Sequence, residues 1–216
     1  MVAASVLTAD NVDEGPCECH WYAYGERMTR IIAGELGGRR IAVPPKGTRP
    51  TTDRVREAVF SRLDHAGALR DAHVIDVFAG SGALAFEALS RGAADAVLVE
   101  SAGQAAKVAQ GNARDLGVGG RATVVREKAR PYLERAERTW DLAFLDPPYD
   151  IARDDLAQVL AALAARLSPG ATVVLEWSSR VGDAPWPDAI EAVTSKAYGE
   201  TTVHYGEAVA PGSVGA

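Results

Sequence analysis

Apolar residues fall into short runs from His73 onward, and those runs alternate with segments of helical period. HVIDVFA reads as a buried strand, and GSGALAFEALSRG turns from it into a helix that ends at Gly92. AVLVE is a second strand, followed by a helix over residues 101–116. ATVVRE is a third strand, with a short helical stretch from Tyr132 to Arg138. DLAFLD is a fourth strand, a helix runs from Asp154 to Leu167, and ATVVLEW is a fifth strand. Short apolar strands separated by helices predict parallel β-α-β units covered on both faces. The end of the chain differs. IEAVTSKAYGETTVHYGEA predicts two strands around Gly199 with no helix between them, an antiparallel hairpin at the sheet edge.

Ahead of His73 the period changes. RIIAGELGGRRIAV, from Arg30 to Val43, predicts two short strands around a Gly37-Gly38 turn. PPKGTRP is a loop, and TTDRVREAVFSRL predicts a helix with Thr51 or Thr52 as N-cap and Val55, Val59 and Leu63 at helical spacing. Residues 1–27 show no period and are expected to be a poorly ordered leader or start-site extension, with Met28 opening the patterned chain. The expected organisation is that leader, a hairpin-and-helix extension over 28–63, a main α/β domain over 64–209, and a frayed tail over 210–216.

A chain of 216 residues, 47% of them hydrophobic, suits one domain with a substantial core. The net charge of −6 argues against a generally basic nucleic-acid binder, yet it hides a local asymmetry. Arg30 to Arg56 holds seven Arg or Lys against two acids, whereas residues 1–27 hold five acids against one Arg. A basic segment on an acidic body suggests one surface that meets an anion. Cys17 and Cys19 are the two cysteines, too closely spaced for an unstrained disulfide, so a reducing compartment is expected. Together with His20 they lack a second ligand pair at finger-like spacing, and no metal is expected. No run reaches the length of a membrane span and no signal pattern opens the chain, so a cytoplasmic protein without a membrane partner is expected.

Two motifs carry chemistry. In VIDVFAGSGALA, Gly80 and Gly82 sit where a strand gives way to a helix, and lacking Cβ atoms they let the backbone approach a ligand. Glu100, ending the next strand, is placed to accept both hydroxyls of a ribose. The pair suits any adenosine cofactor, NAD included. FLDPPYD decides between them. Asp146 ends the fourth strand on the edge where open α/β sheets bind ligands, and Pro147 and Pro148 stop the strand there. Asp-Pro also forms ordinary turns and caps, but a hydride-transfer enzyme has no need of a carboxylate, a stiff backbone and a ring at one spot. An enzyme that alkylates an aromatic exocyclic amine does. The amine's lone pair is delocalised into the ring. A carboxylate and a backbone carbonyl that accept its two N–H bonds favour the tetrahedral nitrogen of the transition state. Tyr149 can stack on the flipped base.

RIIAGELGGRRIAVP, RPTTDRVREAVF, DVFAGSGALAFEALSRGA, VLVE, FLDPPY and the late KAYGETTVHY together resemble the class I S-adenosylmethionine-dependent methyltransferases. More narrowly, the chain resembles the bacterial enzymes that methylate N2 of one guanine in 16S ribosomal RNA, over roughly Met28 to Glu207. DPPY alone is shared with DNA adenine methyltransferases; its combination with RPTTDRVRE is far more specific. The resemblance implies a Rossmann-like, mostly parallel seven-stranded sheet with an N-terminal hairpin and helix. It assigns the donor S-adenosylmethionine to Asp76, Phe78, Gly80, Gly82 and Asp146, with Glu100 on the ribose. It gives the target guanine to Asp146, Pro147, Pro148 and Tyr149. The family's third strand ends in Asp or Asn and a small residue near the adenine. Here Lys128 stands in that place and cannot accept from the adenine amine, which leaves the Ala129 backbone N–H.

Arg30, Arg39, Arg40, Lys46, Arg49 and Arg54 are candidate phosphate contacts, a solvated basic hairpin being the alternative. Arg56 belongs to the same run, but it lies two residues from Arg54 on a helix, so the two cannot share a face. One of them is expected to pair with an acid such as Asp53 or Glu57. The expected partner is 16S ribosomal RNA in an assembled or assembling small subunit, and the expected state a monomer. Two rivals stand beside this: a DNA adenine-N6 methyltransferase, and a non-catalytic RNA-binding assembly factor that keeps the fold.

Overall fold

The computed structural model describes residues 28–44, 53–178 and 182–209. Two three-residue strands, β1 (Met28–Arg30) and β2 (Arg40–Ala42), pair antiparallel, and α1 (Asp53–His65) follows. β3 (His73–Val77), α2 (Ala83–Ser90), β4 (Asp95–Val99), α3 (Gly103–Asp115), β5 (Ala122–Val125), α4 (Ala129–Arg135), β6 (Trp140–Leu145) and α5 (Arg153–Ala164) then alternate. β7 (Leu167–Ser178), β8 (Ile190–Tyr198) and β9 (Thr201–Ala208) complete a seven-stranded sheet in the order β5-β4-β3-β6-β7-β9-β8. β9 runs antiparallel to both its neighbours, and the pairs among β3 to β7 are parallel. The expected mostly parallel α/β sheet with an antiparallel terminal hairpin is what forms.

Period-two side-chain alternation splits the core into two layers. Val74, Leu142 and Phe144 point to the face covered by α1, α2 and α3, where Phe60, Phe86 and Ala109 meet them. Ile75, Val77, Ala143 and Leu145 point to the other face, onto Leu133 of α4 and Leu156 and Leu160 of α5. Both faces are apolar because both are covered, as a parallel sheet requires.

Several boundaries differ from the sequence expectation. The first strand starts at Met28, and residues 31–39 form a wider connection than a Gly37-Gly38 turn. Gly34 and Gly38 take the left-handed conformation there, at φ 84° and 83°. α4 starts at Ala129 and not at Tyr132, because Pro131 falls in its first turn, where no backbone N–H is needed. α5 stops at Ala164 and β7 begins at Leu167, which pairs with Trp140 across a register shift. The chain therefore joins the sheet before Pro169 and Gly170, ahead of the expected strand ATVVLEW.

Polar groups dock the N-terminal segment. Glu87 of α2 is 0% exposed, and its carboxylate accepts the N–H groups of Ile32 (2.6 Å) and Ala33 (3.1 Å). Arg91, one helical turn on, donates to the same carboxylate at 2.7 Å and reaches Asp64 of α1 at 2.5 Å. Ser90 accepts from Leu36 N–H and donates to the Ala33 carbonyl. A Cβ on Gly34 would lie 1.9 Å from the Ser90 carbonyl oxygen, so this close approach needs glycine. Ile31, Ile41, Phe60 and Leu63 share one apolar layer with Phe144, Val174 and Tyr205.

Replacing Glu87 with Ala should strip two part-buried N–H groups of their partner and leave Arg91 only Asp64. The expected loss is about 3–5 kcal/mol, the range for breaking a buried ionic pair from one side. Equilibrium urea unfolding checks it, and a loss below ~1 kcal/mol would mean that water replaces the carboxylate.

Candidate active site

The strand order reverses between β3 and β6, so the helices after these neighbours leave toward opposite faces and open a crevice at the carboxyl edge. Register decides which residues reach it. Val77 pairs with Val99 on one side and with Leu145 on the other. The residues that follow, Phe78, Glu100 and Asp146, therefore emerge side by side from three adjacent strands, spaced by about 4.8 Å per strand.

The loop after β3 is held in a costly shape. Phe78 has φ 68°, a left-handed conformation for a residue with a Cβ, and its N–H and that of Ala79 both donate to the Val99 carbonyl, at 3.0 and 3.1 Å. Gly80 and Gly82 continue at φ 55° and 83°. A Cβ on Gly82 would lie 2.4 Å from Phe86 and 2.6 Å from Leu98. Backbone strain of this kind gathers at active sites and ligand clamps. Glu100 closes the loop: one carboxylate oxygen accepts Gly80 N–H at 2.9 Å, the other Ala102 N–H at 2.7 Å. A carboxylate has about four acceptor positions, so two remain for a pair of hydroxyls.

Asp76 points from β3 toward the start of α2, 1% exposed, and accepts Ala85 N–H at 3.2 Å. Burial, with the neighbouring Glu100 charge as a lesser cause, pushes its carboxyl up to about 7. Lys128 is exposed, in extended conformation just before α4, and Ala129 is the buried first residue of that helix. Pro147 is buried, Pro148 is exposed, and the Pro148 carbonyl accepts Ile151 N–H at 3.1 Å, closing the turn. Tyr149 stands out at 66% exposure, the most exposed of the three large hydrophobic side chains that stand open among the described residues.

The basic residues divide. Arg40 and Arg54 are exposed. Arg30 is exposed but faces Asp53 at 3.5 Å, and Arg39 donates to the Asp115 carbonyl at 2.5 Å. Arg56 is not available to a phosphate: it is 2% exposed and donates to the Arg30 carbonyl (2.6 Å), Asp53 (3.0 Å) and Thr29 (3.2 Å). It is the member of its pair that takes the acid. Lys46, Arg49, the cap candidates Thr51 and Thr52, and the Cys17, Cys19, His20 cluster lie outside the described residues. Sequence reasoning passed over Asn112, whose side chain joins β2 to the glycine loop. The signal was there: an amide on the apolar stripe of QAAKVAQGNARDL.

This strand order, with its antiparallel β9 inserted before β8 and a glycine loop after β3, is the class I methyltransferase fold. Residues 29–207 match the model of the family described as Conserved hypothetical protein 95, and the chain belongs to that family. A solved structure described as putative methyltransferase yhhF from Escherichia coli aligns at a TM-score of 0.76 with 32% identity, covering 85% of this chain and 99% of that one. Ribosomal RNA small subunit methyltransferase D of Escherichia coli (strain K12) is 43% identical over 126 residues, which is 58% of this chain and 62% of that protein. The chain thus matches under two thirds of that relative's length. Putative rRNA methyltransferase YlbH of Bacillus subtilis (strain 168) is 38% identical over 125 residues, 56% of this chain and 66% of that protein.

The raised carboxyl of Asp76 has a stability consequence. A buried carboxyl at about 7, against an ordinary value near 4, binds its proton more tightly in the folded state. Its contribution to stability is therefore greatest at low pH, falls as pH rises between those two values, and is flat above. Asp76→Asn, which does not titrate, should gain on the parent by about 1.4 kcal/mol for each pH unit across that window. Urea unfolding of the ligand-free protein at pH 5 and pH 8 measures it; an equal difference at both would place the Asp76 carboxyl in its ordinary range.

Proposed function

We propose that the protein transfers a methyl group from S-adenosylmethionine to the exocyclic N2 of a guanine in 16S ribosomal RNA. The observation that carries this is the emergence of Phe78, Glu100 and Asp146 side by side at the crevice, with the exposed Tyr149 ring three residues past Asp146. The names of the relatives point the same way, toward RNA of the small ribosomal subunit.

The residues present fit the donor. Glu100 keeps acceptor capacity after taking two backbone N–H groups, and Gly80 and Gly82 take the left-handed turns that bend the loop around the strand end. Phe78, Gly80, Gly82 and Asp76 would line its methionine and ribose portions, Glu100 would take the ribose hydroxyls, and the Ala129 N–H at the start of α4 would face the adenine. Bound there, S-adenosylmethionine supplies an electrophilic methyl group. The rest falls to the chain. Asp146 and a backbone carbonyl of the Pro147-Pro148 turn accept the two amine N–H bonds, which draws the nitrogen lone pair out of conjugation. The Asp146 carboxylate would support the positive charge that develops on that nitrogen as the methyl–sulfur bond breaks to leave S-adenosylhomocysteine, and the methylated nitrogen would then give up one proton to solvent. Tyr149 holds the extruded base by stacking. The segment 28–63, with Arg30, Arg39, Arg40, Lys46, Arg49 and Arg54, is the RNA-facing extension, and 64–209 the catalytic domain. The acceptor is presented in an assembled or assembling small subunit, and the enzyme acts as a cytoplasmic monomer.

Asp146→Asn keeps the shape but turns an acceptor into a donor facing a donor. Single-turnover transfer at saturating donor, with donor affinity measured separately, should slow by about 10²–10³. Near-normal turnover would remove the carboxylate from the mechanism. Tyr149→Ala should lose about 1–3 kcal/mol of base stacking, and Tyr149→Phe should be mild because the ring remains; equal damage from both would assign the role to the hydroxyl.

Replacing the exposed Arg40 and Arg54 together with Ala should weaken RNA binding and flatten its salt dependence, by about 0.7–0.9 in the log–log slope per lost phosphate contact. Filter binding across a salt series reads it. An unchanged slope would make these two arginines solvated surface.

A further inference from the structure

Asn112 is 1% exposed in α3, and all of its hydrogen-bonding near-neighbours are backbone. Its Oδ1 accepts the Ala42 N–H at 2.8 Å, and its Nδ2 donates to the Ala42 carbonyl at 2.9 Å. The side-chain amide thus pairs with both groups of Ala42, as a neighbouring strand would, at the last residue of β2. The Nδ2 also donates to the Ser81 carbonyl at 2.9 Å. Ser81 lies between Gly80 and Gly82, and the Gly80 N–H is the one held by Glu100.

One planar amide therefore spans two distant segments. On one side is the glycine loop. On the other is the end of β2, from which the chain runs through Val43 and Pro44 toward Lys46 and Arg49. An apolar residue would suit this stripe of α3 better, and asparagine is a weak helix former. An aliphatic side chain, however, would leave the N–H and C=O of Ala42 and the C=O of Ser81 unpaired in a buried place. The three bonds hold together only while Ala42 and Ser81 keep a fixed separation.

We propose that Asn112 is a positioning residue: it sets the place of the RNA-facing N-terminal segment relative to the loop that holds the methyl donor. The role rests on RNA methyl transfer being the reaction. Transfer needs the reacting atoms about 3–3.5 Å apart and in line, and a shift of about 1 Å between two docked substrates can cost 10²-fold in rate. A residue that joins the two docking elements acts on that distance while touching neither substrate.

The test compares Asn112→Ala with Val118→Ala, a buried substitution just past the end of the same helix that is bonded to neither segment through its side chain. Both are assayed by single turnover at saturating donor and RNA, at temperatures that leave each variant equally folded. The expected result for Asn112→Ala is a rate loss of about tenfold or more with each dissociation constant within about threefold of the parent, and no such loss for Val118→Ala. Equal losses in the two variants, or none in Asn112→Ala, would overturn the role. A second measurement needs no variant. S-adenosylhomocysteine added to the full chain should slow amide hydrogen exchange over residues 78–84 and also over residues 40–44, since the Ala42 N–H hangs from Asn112. Protection of the glycine loop alone contradicts the link. Protection of neither segment means that the donor does not bind, and then methyl transfer itself falls and takes this role with it.

Discussion

A sheet whose strand order reverses between β3 and β6 sends the helices after those strands to opposite faces, and no backbone then closes the carboxyl edge between them. The candidate site depends on this constraint. Because Val77 is in register with both Val99 and Leu145, Phe78, Glu100 and Asp146 leave the sheet at one level. A one-residue slip in any of these pairings would turn a side chain from the crevice into a helix layer. The apolar alternation of Val74, Ile75 and Val77 and of Leu142 to Leu145, buried against helices on both faces, makes such a slip costly. The accuracy of the site is thus a property of the core.

The N-terminal segment is tied to that core by buried polar groups as well as by Ile31 and Ile41. Glu87, Ser90, Asn112 and Arg56 each bond to backbone groups of residues 30–42. Each holds only while its partners stay in place, and each would be costly to leave unpaired. Two of these anchors stand on α2, the helix that the glycine loop starts. The basic segment and the donor loop are in this way parts of one scaffold, although the sequence between them reads as a change of period and invites a boundary at residue 63.

How much of this was legible in the chain follows from which signals are local. The strands and helices from His73 to Ala208 show in period and punctuation, and so do Gly80, Gly82, Glu100 and Asp146, because each ends or follows an apolar run. Terminal boundaries were less legible. Pro131 and Pro169 look like breakers, yet one sits in a helix's first turn and the other in a long strand's first part, where a missing N–H costs nothing. Long-range polar pairings were not legible at all. Arg39, Arg40 and Arg56 are one charge class in sequence. The fold alone separates Arg56, buried under β1, from the exposed Arg40 and from Arg39, which is exposed but bonded to the Asp115 carbonyl. The same holds for Asn112, whose partners Ala42 and Ser81 lie far from it along the chain.

The most direct measurement is of the product. Small ribosomal subunits lacking the modification are incubated with the protein and S-adenosylmethionine labelled in its methyl group, and the rRNA is digested to nucleosides and separated by liquid chromatography with mass detection. The label should appear in N2-methylguanosine, and about 10²–10³ more slowly with Asp146→Asn. Label in N6-methyladenosine, transfer to duplex DNA in place of RNA, or no transfer by a protein that binds the donor would contradict the assignment of Asp146 to Tyr149 as a clamp for guanine.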